Sequence, residues 1–266
     1  MSKVLSKDGT PIAYDQSGEG SPVILVGGAM NSRSFGIMGP LVPLLEQRFT
    51  VINYDRRGRG ESGDTKPYAV EREVEDLEAL ILAVGGSAFV YGCSSGAALA
   101  LEAANLLGGK IKKLVVYEAP FVVDTSRAPV PADFAAQLSG MIVSNRRGAA
   151  VKYFMVKGVG VPAIFVTMMQ LMPAWSKLKA MAGTLPYDTA TLRDNGSGKL
   201  LSTQQWAAIT APTLVVCGGK SPAWMSHAMQ ALADVLPYAQ HRTLEGQTHI
   251  VKPEAIAPIL VEFFAE

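Results

Sequence analysis

The stretch Ala88-Phe89-Val90-Tyr91-Gly92-Cys93-Ser94-Ser95-Gly96-Ala97-Ala98-Leu99-Ala100 decides the fold. Its first four residues form an apolar run without polar alternation, the pattern of a strand buried on both faces. From Ser95 to Leu107 the chain becomes rich in Ala and Leu and stops before Gly108-Gly109. That reads as a helix with a glycine cap at its C-terminus. Gly92-x-Ser94-x-Gly96 straddles the switch from strand to helix. On so tight a turn, flanking glycines let backbone segments approach closely. The helix behind Ser94 starts with free N–H groups, which favour a developing negative charge. Ser94 is therefore a candidate nucleophile; the bland alternative is a Gly/Ser-rich turn with no chemistry.

Moving outward, similar apolar runs recur at Val23–Val26, Phe49–Tyr54, Leu114–Tyr117 and Thr213–Val216, and each ends in glycine or an acidic residue. Gln240–Leu244 is a further strand candidate. Glu71–Val84 carries Val74, Leu77, Leu80, Ile81 and Val84 at helical spacing. Ala223–Leu236 and Pro253–Phe264 read as two more helices, the second opening on proline. Strands alternating with helices predict a doubly wound α/β sheet, with ligands beyond the carboxyl ends of the strands. Residues 124–208 break the rhythm with five prolines, six methionines and no buried-strand run, and are expected to form a helical insertion over the sheet edge. The core is expected to comprise residues 1–123 and 209–266.

Composition narrows the partners. The chain has 266 residues, 48% of them hydrophobic and 18% charged, with a net charge of +1. Such a chain can bury a sizeable core, and its net charge gives no reason to expect nucleic acid or an acidic membrane surface. No run approaches the roughly 20 apolar residues of a membrane span, and the N-terminal residues lack the apolar core of a signal peptide. Cys93 and Cys217 are expected to be reduced thiols. A soluble cytoplasmic protein, monomer or homodimer, is the expectation.

The sequence resembles the α/β-hydrolase family over nearly its whole length. The residues that carry the resemblance are Val26-Gly27-Gly28-Ala29-Met30, Tyr54-Asp55-Arg56-Arg57-Gly58-Arg59-Gly60-Glu61-Ser62, the turn at Ser94, and Leu244-Glu245-Gly246-Gln247-Thr248-His249. It looks most like the small bacterial esterases, lactonases and cofactor-free haloperoxidases. The resemblance implies an eight-stranded, mostly parallel sheet flanked by helices, with a helical cap between strands 6 and 7, and no cofactor or metal. It makes the turn a nucleophile elbow. It also implies that His249, one of three histidines, is the base, because the family places its imidazole after the last strand. The oxyanion hole would use the N–H groups of Ser95 and Ala29, with Gly27-Gly28 replacing the family's usual His-Gly.

The acid departs from the family pattern. Ser221 stands where the family usually has Asp after strand 7. Some relatives carry the acid at the end of strand 6, and there this chain has Glu118. Asp124 is a weaker candidate, and Ser221 could orient the imidazole by a hydrogen bond of its own. Asp55 is expected to brace a local turn, Cys93 and Cys217 to pack as core thiols, and His227 and His241 to lie on a helix and a strand face. Gly219-Lys220-Ser221 lacks the upstream glycine of a phosphate loop, where Leu214 stands. The methionines of the insertion, with Phe154, Phe165 and Trp175, either line an apolar pocket or pack helices together. The expected activity is serine-dependent hydrolysis of a carboxylic ester or lactone bond in a small, largely apolar molecule, through an acyl-enzyme. Perhydrolase or haloperoxidase-like chemistry, carbon–carbon bond hydrolysis and a non-catalytic ligand receptor are the alternatives on this scaffold.

Overall fold

The computed structural model describes residues 1–265. Eight strands form one sheet in the order β1-β2-β4-β3-β5-β6-β7-β8. They span Ser2–Leu5 (β1), Pro11–Ser17 (β2), Pro22–Val26 (β3), Thr50–Tyr54 (β4), Ala88–Cys93 (β5), Ile111–Tyr117 (β6), Thr213–Gly218 (β7) and Ala239–Leu244 (β8). The pairs from β4 through β8 are parallel, and β2 runs antiparallel to both β1 and β4. The apolar runs of the sequence became the parallel strands. The β1–β2 hairpin carried no such run: β1 is largely exposed, and β2 buries mainly Ile12 and Ala13.

The α-helices among the described residues are Val42–Leu45 (α1), Val70–Ala83 (α2), Ser95–Leu107 (α3), Phe134–Val143 (α4), Arg147–Tyr153 (α5), Ala163–Met169 (α6), Ala174–Met181 (α7), Leu185–Ala190 (α8), Thr203–Trp206 (α9), Ala223–Val235 (α10) and Pro253–Ala265 (α11). Residues alternate across the sheet. Ile24, Val26 and Val90 face a cluster with Val74, Leu77 and Ile81 of α2 and Met229 and Leu232 of α10. Val23, Leu25 and Tyr91 face the opposite cluster, with Leu45 of α1 and Leu260 and Phe264 of α11. Burial on both faces explains the unalternating apolar runs.

Between β6 and β7 the described residues form helices α4–α9 and a π-helical turn at Phe154–Val159, with no strand. A separate cluster of Phe134, Leu138, Val151, Met155, Val166, Trp175, Leu178, Met181 and Leu185 holds this segment together, and Met30 from the loop after β3 joins it. Met155, Met181 and Trp175 therefore pack helices, whereas Phe165, Met168 and Met172 are exposed. The segment sits over the carboxyl ends of the strands, not over a sheet edge: Asp188 of α8 bonds to the loop after β4 and to the first residue of α3.

Strand register positions the site. β3 and β5 are neighbours with Val26 opposite Gly92, at the point where the chain changes its direction of travel across the sheet. Cys93 is opposite Tyr117, Tyr117 is opposite Val216, and Gly218 is opposite Leu244. The residues that follow β3, β5, β6, β7 and β8 thus emerge side by side.

Candidate active site

Ser94 sits at φ 57° and ψ −130°, outside the regions open to most non-glycine residues. Its N–H donates to Tyr117 O at 2.9 Å, and its carbonyl accepts from Ala97 N at 2.9 Å. These bonds pin a serine between strand and helix, with its hydroxyl outside the backbone ladder. The flanking glycines are demanded by close approach. A Cβ on Gly92 would lie 2.6 Å from Gly96 O, and one on Gly96 would run into the Val26 carbonyl.

His249 and Glu118 complete a line of hydrogen-bond contacts. His249 Nε2 is 3.2 Å from Ser94 Oγ, and Nδ1 is 2.8 Å from Glu118 Oε2. A carboxylate beside Nδ1 accepts a hydrogen bond from an N–H there, which leaves Nε2 unprotonated and able to accept from the serine hydroxyl. Glu118 has no solvent exposure. Its other oxygen, Oε1, accepts from Gly218 N at 2.7 Å, so the buried charge has a bond on each oxygen. The backbone at Glu118 is also unusual, with φ 48°, and its N–H donates to Val216 O at 3.1 Å. Tyr117 donates its hydroxyl to Thr248 O at 2.6 Å and so holds the loop that presents His249. The imidazole keeps about a third of its side chain exposed (33%), while the acid behind it is sealed.

The other acid candidates lie elsewhere. Asp124 accepts from or pairs with His227 Nδ1 at 2.6 Å on the surface. The Ser221 hydroxyl is buried without a hydrogen-bond partner among the described residues and does not orient the imidazole. Asp55 accepts from the N–H groups of Arg33 (2.7 Å) and Glu61 (3.0 Å) and from Arg33 Nε (3.0 Å), which makes it a brace for local backbone. Both cysteines are free and buried. Burial, then the charge of Glu118, pushes the Cys93 thiol well above its ordinary range, so it is a poor nucleophile at neutral pH. Burial lowers the pKa of His241, whose Nε2 lies 3.5 Å from Cys217 Sγ. Among the described residues no group of three or more His, Cys, Asp or Glu is placed to hold a metal ion.

The loop after β3 packs directly on the elbow. A Cβ on Gly28 would lie 2.8 Å from Ser94 Cβ and 3.4 Å from its Oγ. Ser95 opens α3, so its N–H has no acceptor within the helix. The Ala29 N–H is also without a backbone or side-chain acceptor among the described residues. Two free donors thus flank Ser94, as an oxyanion hole requires.

Sequence reasoning missed a buried charge cluster beneath this loop. Asp188 accepts from Arg56 Nη1 (2.8 Å), Arg59 Nη2 (2.7 and 2.8 Å) and the Ser95 hydroxyl (2.7 Å). Glu73 accepts from Arg56 Nε and Nη2, both at 2.7 Å. Burial opposes the charge on Arg56, yet Glu73 and Asp188 hold its pKa well above the ordinary value. Arg56 and Arg59 were visible only as parts of a family stretch, and nothing local marked Asp188.

A family model described as the alpha/beta hydrolase family matches residues 23–259. The chain belongs to the alpha/beta hydrolase family. Among solved structures, this hydrolase is similar to an alpha/beta hydrolase from Sphaerobacter thermophilus DSM 20745, at 55% identity over 99% of this chain and 100% of that one, with a TM-score of 0.91. It also shares its fold with a thermophilic esterase from Thermogutta terrifontis, at 22% identity over 99% and 97% of the two chains, with a TM-score of 0.69. Among curated proteins it resembles the probable oxidoreductase EphD of Mycobacterium bovis, 37% identical over 87 residues. That match covers 30% of this chain and spans only 14% of the length of the mycobacterial protein. No helix among the described residues is long and apolar enough to cross a membrane.

Proposed function

We propose that this hydrolase is a serine enzyme that cleaves carboxylic ester or lactone bonds of small, largely apolar molecules through an acyl-enzyme. The observation that carries the reading is the contact line Glu118–His249–Ser94, at 2.8 and 3.2 Å, ending on a serine in a strained turn. Ser94 Oγ attacks the substrate carbonyl while its proton passes to His249 Nε2. Glu118 holds the Nδ1 proton and stabilises the imidazolium. The N–H groups of Ala29 and Ser95 receive the tetrahedral oxyanion. Collapse expels the alcohol, which takes the proton from His249. Water, deprotonated by the same imidazole, then attacks the acyl-serine and releases the acid. No step calls for a cofactor.

The alternative of a non-catalytic receptor rested on the absent acid after β7. A buried carboxylate bonded to His249 Nδ1 supports catalysis instead. Residues 124–208 would act as a cap that shapes the substrate space over Ser94. The two free, buried thiols are compatible with a reducing compartment such as the cytoplasm.

A fluorophosphonate probe tests this reading without knowledge of the substrate. Wild type is expected to be labelled, and Ser94→Ala to be inert. A wild-type protein that stays unlabelled, or a Ser94→Ala variant labelled at the wild-type rate, removes Ser94 as the nucleophile.

A further inference from the structure

We infer that Asp188, carried by the inserted helical segment, and Arg59 are positioning residues that hold both donors of the oxyanion hole. The inference rests on the serine-hydrolase reading and deepens it. The first donor belongs to the Gly28–Ala29 peptide. In a trans peptide the carbonyl and the N–H point in opposite directions. Arg59 Nη1 donates to Gly28 O at 2.6 Å. That bond fixes the plane of the peptide and thereby the aim of the Ala29 N–H. A guanidinium on the carbonyl also polarises the peptide and strengthens the N–H as a donor.

The second donor belongs to Ser95. Its hydroxyl donates to Asp188 Oδ1 at 2.7 Å, which ties the first residue of α3 to the same carboxylate that receives Arg59. Arg59 Nε reaches Thr184 Oγ1 at 3.0 Å, a second anchor on the inserted segment. Arg56 extends the arrangement: it bonds Asp188 and, at 3.3 Å, the carbonyl of Gly27. One carboxylate from the inserted segment therefore reaches both sides of the hole.

The cluster is chemically closed. Two guanidinium groups face two carboxylates, and Arg56, Glu73, Arg59 and Asp188 are all 2% exposed or less. Charges so buried are stable only as a complete set, so the position of the segment and the position of the donors are coupled. Preorganised donors are worth most in a dry site, where they need not reorient as charge develops.

The same motif contains a control. Arg57 forms a comparable buried pair with Asp76, at 2.7 and 2.8 Å, and neither residue bonds to the Gly27–Ala29 backbone or to Ser95. The test compares second-order fluorophosphonate labelling rates and p-nitrophenyl ester kinetics of wild type, Asp188→Asn, Ser95→Ala and Asp76→Asn, with thermal melts of each. Asp188→Asn is expected to label about 10-fold more slowly or worse, and Ser95→Ala about 3-fold more slowly, with similar losses in kcat for the ester and KM held. Asp76→Asn is expected to lower the melting temperature and leave the labelling rate unchanged. Wild-type rates in a folded Asp188→Asn variant overturn the inference. So does an equal loss in Asp188→Asn and Asp76→Asn, which marks a purely structural role. If Asp188→Asn does not fold, Ser95→Ala decides alone, and a wild-type rate there overturns the inference. An unlabelled wild type is a separate result: the nucleophile reading fails, and the inference falls with it.

Discussion

In the proposed triad, Glu118 reaches His249 from an unusual position, the end of β6. The acid expected after β7 is replaced by Ser221, yet β6 and β7 are adjacent and in register at Tyr117 and Val216. A carboxylate one residue beyond Tyr117 therefore opens onto the same ring as one placed after β7. Glu118→Gln keeps the size of the group and removes its charge. The amide can present its N–H₂ to Nδ1 and favour the wrong tautomer, so kcat for a p-nitrophenyl ester is expected to fall by on the order of 10³-fold or more, with little change in KM. A folded Glu118→Gln variant with wild-type kcat takes Glu118 out of the proposed triad. Ser94, His249 and Glu118 could be picked from sequence because each stands at the end of a recognisable strand or in a family loop. Asp188 could not. Its partner Arg56 lies 132 residues away, and no periodicity or turn chemistry encodes a pairing at that distance.

Among the elements, those that bury both faces announced themselves. β3 through β7 have near-continuous apolar sequences because helices cover the sheet on each side. The β1–β2 hairpin was implied only by family resemblance, since an edge with one wet face needs few apolar residues. Helix α11 was legible in the sequence as a helix opening on Pro253, and its partners explain its weight. Phe264 stacks on Phe89 with ring centroids 4.9 Å apart and meets Phe49 edge-on at 6.1 Å. Phe89 lies near the start of β5, at the opposite end of that strand from Cys93 and the elbow. Phe264→Ala is expected to cost about 3–5 kcal/mol of stability, read as a lower urea midpoint. The labelling rate per folded molecule is expected to stay at the wild-type value. An unchanged midpoint would show that the aromatic cluster repacks without loss; a slowed rate would show that strain reaches Ser94 along β5.

For the whole molecule, the net charge of +1 is an average that hides a separation. Between Phe134 and Tyr187 there are six basic residues, Arg146, Arg147, Lys152, Lys157, Lys177 and Lys179, and no acidic one. All but Lys152 are exposed. Composition alone gave no hint of this field, because the acidic excess of the remaining chain cancels it in the sum. The segment that carries these charges is tied through Asp188 to the loop after β4 and to Ser95, so its net positive charge is expected to act on ligands approaching Ser94. Charged surfaces of one sign raise encounter rates with opposite charges, and salt removes the effect as the screening length falls from about 30 Å at 0.01 M to about 8 Å at 0.15 M. An anionic ester, such as the monoester of a short dicarboxylic acid, is therefore expected to lose about 10-fold in kcat/KM over that salt range. A neutral ester of the same shape is expected to change little. Because steering acts on encounter, the loss should appear in kcat/KM and leave kcat at saturating substrate unchanged. Parallel salt curves for the two esters would mean that the basic segment does not govern entry, and that an apolar, neutral substrate meets the site by contact alone.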